Sequence, residues 1–343
     1  MKVSIVGVTG YSGLELIRYL RQHPKVEIVS IHSHSMHKKS ISDINPHLKN
    51  IISLPLEEFN AEKIMEGSDL VFFATPSGIS KELVQPFVTA EFPIIDLSGD
   101  FRLTSGGTYE RWYGKTSAPL DLVKKFEYGL AECRKNPKAI WIANPGCYAT
   151  ATELTFAPLL ENKLIQLDSM IIDGKSGLSG AGKGLSQTTH FTETNENMSV
   201  YKLNQHQHIP EIIQQFKVWA PEIEAIQFST SLIPVTRGIF LTSYVKASQS
   251  ISTEQLIDVF KKYYQGKKFI RIQPENQFPE LKQVVGSNYC DIGVTYNQTT
   301  NIISLVTVID NLGKGAAGQA VQNLNIMAGF PEELGLNAVP LYP

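Results

Sequence analysis

Lys2-Val3-Ser4-Ile5-Val6 is a short apolar run, and Gly7-Val8-Thr9-Gly10-Tyr11-Ser12-Gly13 follows it directly. Leu14, Ile17 and Leu20, with Leu16 beside them, then form one face at helical spacing. Strand, glycine-rich turn and helix in this order constrain the chain more than any other feature. Such a turn brings backbone N–H groups and a helix N-terminus up to a pyrophosphate. The spacing Gly-x-x-Gly-x-x-Gly is one residue longer than the usual Gly-x-Gly-x-x-Gly. Its place at the end of the first strand favours a dinucleotide site over an ordinary tight turn. Gly7, Thr9, Gly10, Tyr11, Ser12 and Gly13 are the residues expected against the dinucleotide.

The second strand, Val26 to Ile31, tells which dinucleotide. An acidic residue at its end would grip a ribose 2′-hydroxyl, but Glu27 stands at its start. The end reads His32-Ser33-His34-Ser35-Met36-His37-Lys38-Lys39. Hydroxyls and lysines suit a 2′-phosphate, so NADP(H) is expected, with Ser33, Ser35 and Lys38 as contacts. A further buried-type strand, Asp69 to Ala74, delivers Thr75 and Ser77 to its C-terminal end, where ligands of open α/β sheets sit. The strand at Pro93 runs into Asp96-Leu97-Ser98-Gly99-Asp100-Phe101-Arg102. Arg102 has the planar fork to clamp a phosphate or carboxylate. Its other reading is a local ion pair with Asp100 or Asp96.

The next strand, Ala139 to Ala143, leads into Asn144-Pro145-Gly146-Cys147-Tyr148-Ala149-Thr150. This puts a cysteine at the start of a helix whose apolar face is Leu154, Leu159 and Leu160. A helix N-terminus stabilises a thiolate, the reactive form of cysteine. Cysteine is also a common small buried hydrophobe, and the local pattern leaves both readings open.

In the second half, a strand at Ser169 to Asp173 runs into Gly174-Lys175-Ser176-Gly177-Leu178-Ser179-Gly180-Ala181-Gly182-Lys183-Gly184. This reads as a mobile loop rich in N–H groups, able to bind an anion, or as a long connection. His206-Gln207-His208-Ile209-Pro210-Glu211 reads as a histidine pair just before a helix that starts at Pro210. Three readings stand. One histidine serves the cysteine as acid and base; the pair holds a metal with Glu211; or these are polar loop residues. Several strands with few helices between them, from Ala225 to Ile309, predict a mixed sheet. The chain closes with small residues around Gly315 to Ala320 in a helix expected to return to the first domain. Before it, Asn311 offers an amide partner for nicotinamide.

Bulk properties agree with this outline. At 343 residues the chain exceeds what one core usually supports. We expect a Rossmann-type NADP-binding domain over 1–146 and 311–343, and an α+β catalytic and oligomerisation domain over 147–310. A net charge of -2 argues against nucleic-acid or polybasic membrane partners. The three cysteines form no close pair, which fits a reducing cytoplasm. The N-terminus lacks the apolar segment of a signal peptide, and no apolar run approaches a membrane span.

These motifs together resemble the N-acetyl-gamma-glutamyl-phosphate reductase family, relatives of the aspartate-semialdehyde dehydrogenases. The match rests on Gly7 to Gly13, Asp96 to Leu103, Asn144 to Thr150, His206 to Glu211 and Asp310 to Ala320. The cysteine and histidine motifs are the specific ones. Gly99 stands where the family usually has alanine, and Phe156 where a branched aliphatic is expected; neither touches the chemistry. The resemblance implies NADPH-dependent reduction of N-acetyl-glutamyl 5-phosphate through a thioester on Cys147, as a step of arginine biosynthesis. His206 then handles the proton, with His208 the alternative. Arg102, Ser179, Gly180 and Glu211 become candidates for binding the small acyl-phosphate substrate. No metal is implied, and a homo-oligomer, dimer or tetramer, is expected. An aspartate-semialdehyde dehydrogenase and a non-catalytic NADP sensor are the competing readings; the His-x-His-x-Pro-Glu stretch tells against the first.

Overall fold

The computed structural model describes residues 1–34 and 38–342, so Ser35, one of the expected cofactor contacts, lies outside the described residues. The chain divides into two compact units, one of residues 1–145 and 316–337, the other of 146–315 and 338–343.

The first unit is built on a seven-stranded sheet. Its strands are β1 (Lys2–Val6), β2 (Glu27–His32), β3 (Leu56–Glu57), β4 (Leu70–Phe73), β5 (Ile94–Asp96), β6 (Glu127–Tyr128) and β7 (Trp141–Ala143). They lie in the order β3-β2-β1-β4-β5-β7-β6, and every pairing is parallel. A parallel sheet covered on both faces needs strands without alternation, and Leu70–Phe73 is buried at every position. Val71, Phe73, Phe87, Ile94, Phe101 and Phe126 share one core cluster. Within it Phe101 stacks on Phe126 at 4.0 Å between ring centroids. The strand order reverses between β1 and β4, and the glycine turn follows β1 at that point.

The second unit carries a mixed sheet of β8 (Ile171–Ser176), β9 (Ser199–Val200), β10 (Gln227–Leu232), β11 (Ile239–Lys246), β12 (Ile270–Ile272), β13 (Cys290–Asn297) and β14 (Ile302–Ile309). Its order is β12-β13-β14-β11-β8-β10-β9, with β8–β10 and β12–β13 parallel and the rest antiparallel. Burial alternates along β11, as a sheet with one helix-covered face requires. That cover includes the helix Cys147–Glu161, packed on β11 and β14 and against the helix His208–Trp219. Leu154, Phe156, Leu159 and Leu160 are all buried, and so are Thr152 and Glu153 just before them. Pro158 stands inside this helix and offers no N–H to the carbonyl of Leu154. The hydroxyl of Tyr264 supplies the missing donor at 2.5 Å.

Two local expectations change. The second helix begins at His208, not at Pro210, so His208 belongs to its first turn. Proline is tolerated there because first-turn N–H groups have no partner within the helix. The glycine-rich stretch is less loose than its composition predicts. β8 runs on through Ser176, and Gly177, Leu178 and Ser179 donate to the carbonyls of Gly238, Val235 and Thr236.

Candidate active site

In the first unit the turn after β1 has the shape of a phosphate cradle. Gly7 takes φ +84, and a Cβ there would lie 2.7 Å from the carbonyl oxygen of Ala74 at the end of β4. A Cβ at Gly13 would lie 2.6 Å from Cα of Val8, so only glycine lets the helix Tyr11–Leu20 pack this close to the turn. Gly10 is its N-cap; no side chain caps that end, and the first turn carries no acidic residue. Its N-terminal dipole is therefore not offset by an acidic side chain of its own first turn, which suits a pyrophosphate. Thr9 and Ser12 are half-buried and Tyr11 is 38% exposed. Ser33 is buried after β2, its backbone N–H on the carbonyl of Glu57, and Lys38 is exposed. Thr75 exchanges a hydrogen bond with Ser80, and Ser77 accepts from Lys115.

Arg102 was a candidate clamp for an anion. The structure buries it, with Nε on the carbonyl of Asn144 at 2.8 Å and Nη2 on that of Leu97 at 2.9 Å. Beside it Asp100 accepts from the backbone N–H groups of Gly78 and Lys81 and from the Tyr109 hydroxyl.

In the second unit Cys147 is the first residue of its helix, half-buried, and its thiol is free of any disulfide. Gly146 is the N-cap, and its N–H donates to the buried carboxylate of Glu211 at 2.8 Å. Glu211 thus closes one of the amides a helix start leaves open. The ring of His208 lies against the same glycine: a Cβ on Gly146 would come within 2.3 Å of His208 Nε2. His206 packs edge-on against His208 at 4.6 Å, and its Nδ1 accepts the His208 backbone N–H at 3.2 Å. A backbone N–H can only donate, so the neutral His206 ring carries its proton on Nε2. Burial, then the neighbouring His208 and Lys202, push its pKa down to about 2, with Glu211 acting in the opposite direction. His206 is therefore neutral at pH 7.

Residues not singled out from the sequence complete this cluster. Tyr148 packs edge-on against His206 and His208, at 5.2 and 6.3 Å. Its hydroxyl meets that of Tyr201 at 3.5 Å. Burial holds both phenols protonated, Tyr201 pushed up to about 12. Their position next to the cysteine and histidine motifs was the only signal for them. Gly315, one of the small residues the sequence marks for close approach, joins them: a Cβ there would lie 2.7 Å from Cβ of Cys147.

Ser179, Gly180 and Asn311 come together at the end of β8. The Asn311 amide donates to Ser179 Oγ at 3.0 Å and accepts the Gly238 N–H at 2.7 Å. A Cβ on Gly180 would lie 2.6 Å from Ser176 Oγ. Both ends of the Asn311 amide are thus engaged within the second unit. Among the described residues no group of three or more His, Cys, Asp or Glu side chains is placed to hold a metal ion. No described helix is long and apolar enough to cross a membrane.

Comparison with known proteins gives consistent matches along the whole chain. Residues 2–140 match the family described as semialdehyde dehydrogenase, NAD binding domain. Residues 147–311 match semialdehyde dehydrogenase, dimerisation domain. N-acetyl-gamma-glutamyl-phosphate reductase of Listeria monocytogenes serotype 4a (strain HCC23) is 58% identical over 343 residues, 100% of each chain. The protein of the same name from Streptococcus gordonii is 53% identical over 342 residues, again 100% of each. Among solved structures, aspartate semialdehyde dehydrogenase II from Vibrio cholerae has a TM-score of 0.72 at 18% identity, covering 96% of this chain and 98% of that one. Aspartate semialdehyde dehydrogenase with NADP from Candida albicans has a TM-score of 0.66 at 15% identity, covering 95% and 98%. At these identities the structural neighbours establish the fold alone.

Proposed function

Because the chain belongs to the N-acetyl-gamma-glutamyl-phosphate reductase family of semialdehyde dehydrogenases, we propose that it reduces N-acetyl-glutamyl 5-phosphate to the 5-semialdehyde in arginine biosynthesis, with NADP(H) as cofactor. The observation that carries the chemistry is a half-buried cysteine at a helix N-terminus beside two buried histidines.

The Cys147 thiolate attacks the acyl carbon, the bond to the phosphate oxygen breaks, and inorganic phosphate leaves a thioester on the enzyme. NADPH, when bound, supplies the hydride that reduces this thioester carbon. The resulting oxyanion collapses, the C–S bond breaks, and aldehyde and thiolate are released. Helix-start amides near Cys147 stabilise the oxyanion in both halves. The resemblance gave the proton to His206 first and to His208 second. The packing supports dividing the work. His208, whose Nε2 lies over Gly146, is the better candidate for exchanging a proton at the cysteine. His206, neutral with Nε2–H, suits donation of a hydrogen bond. Glu211, bonded to the Gly146 N–H, acts on the turn before it acts on substrate. Ser179 and Gly180 are the candidates for the phosphate and carboxylate groups; Arg102, expected from the resemblance to join them, is instead buried on the carbonyls of Asn144 and Leu97.

For the cofactor, the open helix N-terminus and the close packing at Gly7 and Gly13 suit a pyrophosphate. Ser33 and Lys38 would hold the 2′-phosphate, with Thr75 and Ser77 further along the dinucleotide. The dimerisation-domain match supports a homo-oligomer, and a dimer or tetramer in the cytoplasm is the form we propose. Cys147→Ser tests the reading. It is expected to abolish turnover of the acyl phosphate while NADPH affinity stays within about threefold. Robust turnover by the serine variant would refute the thioester route.

A further inference from the structure

The thioester chemistry makes no use of Asn144, yet no residue of the cysteine turn is more fully held. It is completely buried. Its N–H donates to the Asp96 carbonyl at 2.8 Å, and its carbonyl accepts Arg102 Nε at 2.8 Å. Its side-chain Nδ2 donates to the carbonyl of Ala316 at 3.1 Å, and its Oδ1 accepts Asn323 Nδ2 at 3.2 Å. A backbone carbonyl only accepts, so the Ala316 bond fixes which way the Asn144 amide faces. Asn323 is fixed in the same way, because its Nδ2 also donates to the Gly129 carbonyl at 2.7 Å.

The position of these bonds along the chain gives them meaning. Asn144 is the penultimate residue before the chain passes from the first unit to the second, and Ala316 is the first residue after it returns. In the second unit the same two passages of chain touch again. A Cβ on Gly315 would lie 2.7 Å from Cys147 Cβ, and the Gly315 N–H is held on the Asp310 carbonyl at 2.9 Å. The outgoing and returning chains are therefore tied just before the cysteine and packed at the cysteine.

We propose that Asn144 is a positioning residue for Cys147: its bond to the Ala316 carbonyl fixes the turn that presents the thiol at the start of its helix. This rests on the reading of Cys147 as the acyl-accepting thiol. A thiol set at a helix N-terminus owes its acidity to nearby amides, and a displaced turn weakens that contact. Asn144 touches neither substrate nor cofactor in this scheme.

The test uses the full-length protein with Asn144→Ala, and Asn144→Leu as a variant that keeps the side-chain volume but removes the donor to the Ala316 carbonyl. The rate of Cys147 alkylation by iodoacetamide is followed against pH, beside steady-state kinetics and NADP titration. The expected result is an alkylation midpoint raised by about half a pH unit or more. It is joined by a kcat reduced about 10- to 100-fold, the scale of a displaced reacting group. Acyl-phosphate KM and NADP affinity are expected to stay within about threefold. A residue that only stabilised the fold would lower the melting temperature and leave the alkylation profile unchanged. A wild-type profile in a folded Asn144→Ala variant overturns the proposal. If that variant does not fold, the profile of Asn144→Leu decides, an upward shift supporting it and none overturning it. Failure of the thioester reading itself would appear separately, as turnover by Cys147→Ser.

Discussion

Asp96 shows how much a single buried group can set. It ends β5 fully buried; Oδ2 accepts from the Ser98 hydroxyl, and among the described residues no donor meets Oδ1 in hydrogen-bond geometry. Burial first, then the charge of Asp100, raises its pKa from 3.8 to about 6; the Ser80 and Ser98 hydroxyls and Arg102 offset part of this. The native state then holds a proton that the unfolded chain has already released. Stability from this group is fully present below the unfolded pKa of 3.8 and is lost as pH rises through about 6. Asp96→Asn removes the charge and is expected to stabilise the protein at pH 7 by about 1–3 kcal/mol. Chemical denaturation from pH 4 to 8 checks this, since the variant should lack the fall in stability that the parent shows across that window. An equal fall in both proteins would show that another group is responsible. The sequence left Arg102 open between an anion clamp and a local ion pair with Asp100 or Asp96. It held no sign that the arginine would turn to the carbonyls of Asn144 and Leu97, because carbonyl acceptors leave no trace in residue identity.

Elements were legible in proportion to their length and periodicity. β1, β4, β11 and β14 are apolar or alternating runs, and all were apparent before the structure. The two-residue strands β3, β6 and β9 are too short to carry a period; sheet pairing alone makes them strands. The cysteine helix was visible at its start and along its leucines, but the support at its proline was not. Tyr264 lies far along the chain and reaches Leu154 only through the fold. This contact gives a clean test, because the phenol can be removed without altering its ring. Tyr264→Phe leaves the buried Leu154 carbonyl short of the donor that Pro158 cannot supply, and should cost about 1–3 kcal/mol. Urea denaturation measures it, and a loss below about 0.5 kcal/mol would mean that the carbonyl finds another donor. The histidine motif marks the opposite limit. Its chemistry was legible from His206, His208 and Glu211, but the helix start and the proton on His206 Nε2 depend on a backbone bond between the two histidines.

At the scale of the whole chain, each unit has its own sheet and its own core, and the expected functions divide between them. The glycine turn, β2 and the loop after β4 belong to the first unit; Cys147, His206, His208 and Glu211 belong to the second. Two-part organisation followed from length and from the change in strand pattern past Cys147. The dinucleotide assignment makes a prediction that does not depend on catalysis. A ligand that binds only the native state stabilises it by about 2.7 kcal/mol at 100 times its dissociation constant. That protection should begin where the ligand touches. In hydrogen exchange with saturating NADP, the amides of Tyr11, Ser12 and Gly13 at the helix start should slow by at least about tenfold, because their N–H groups gain phosphate acceptors. The exposed turn of residues 298–300 between β13 and β14 should exchange at the same rate with and without NADP, since it opens locally whatever the cofactor does. Slowing confined to the second unit, with none at Gly7 to Gly13, would move the cofactor off the glycine turn. The fold assignment would survive that result, but the contacts given to Thr9, Ser12 and Ser33 would not.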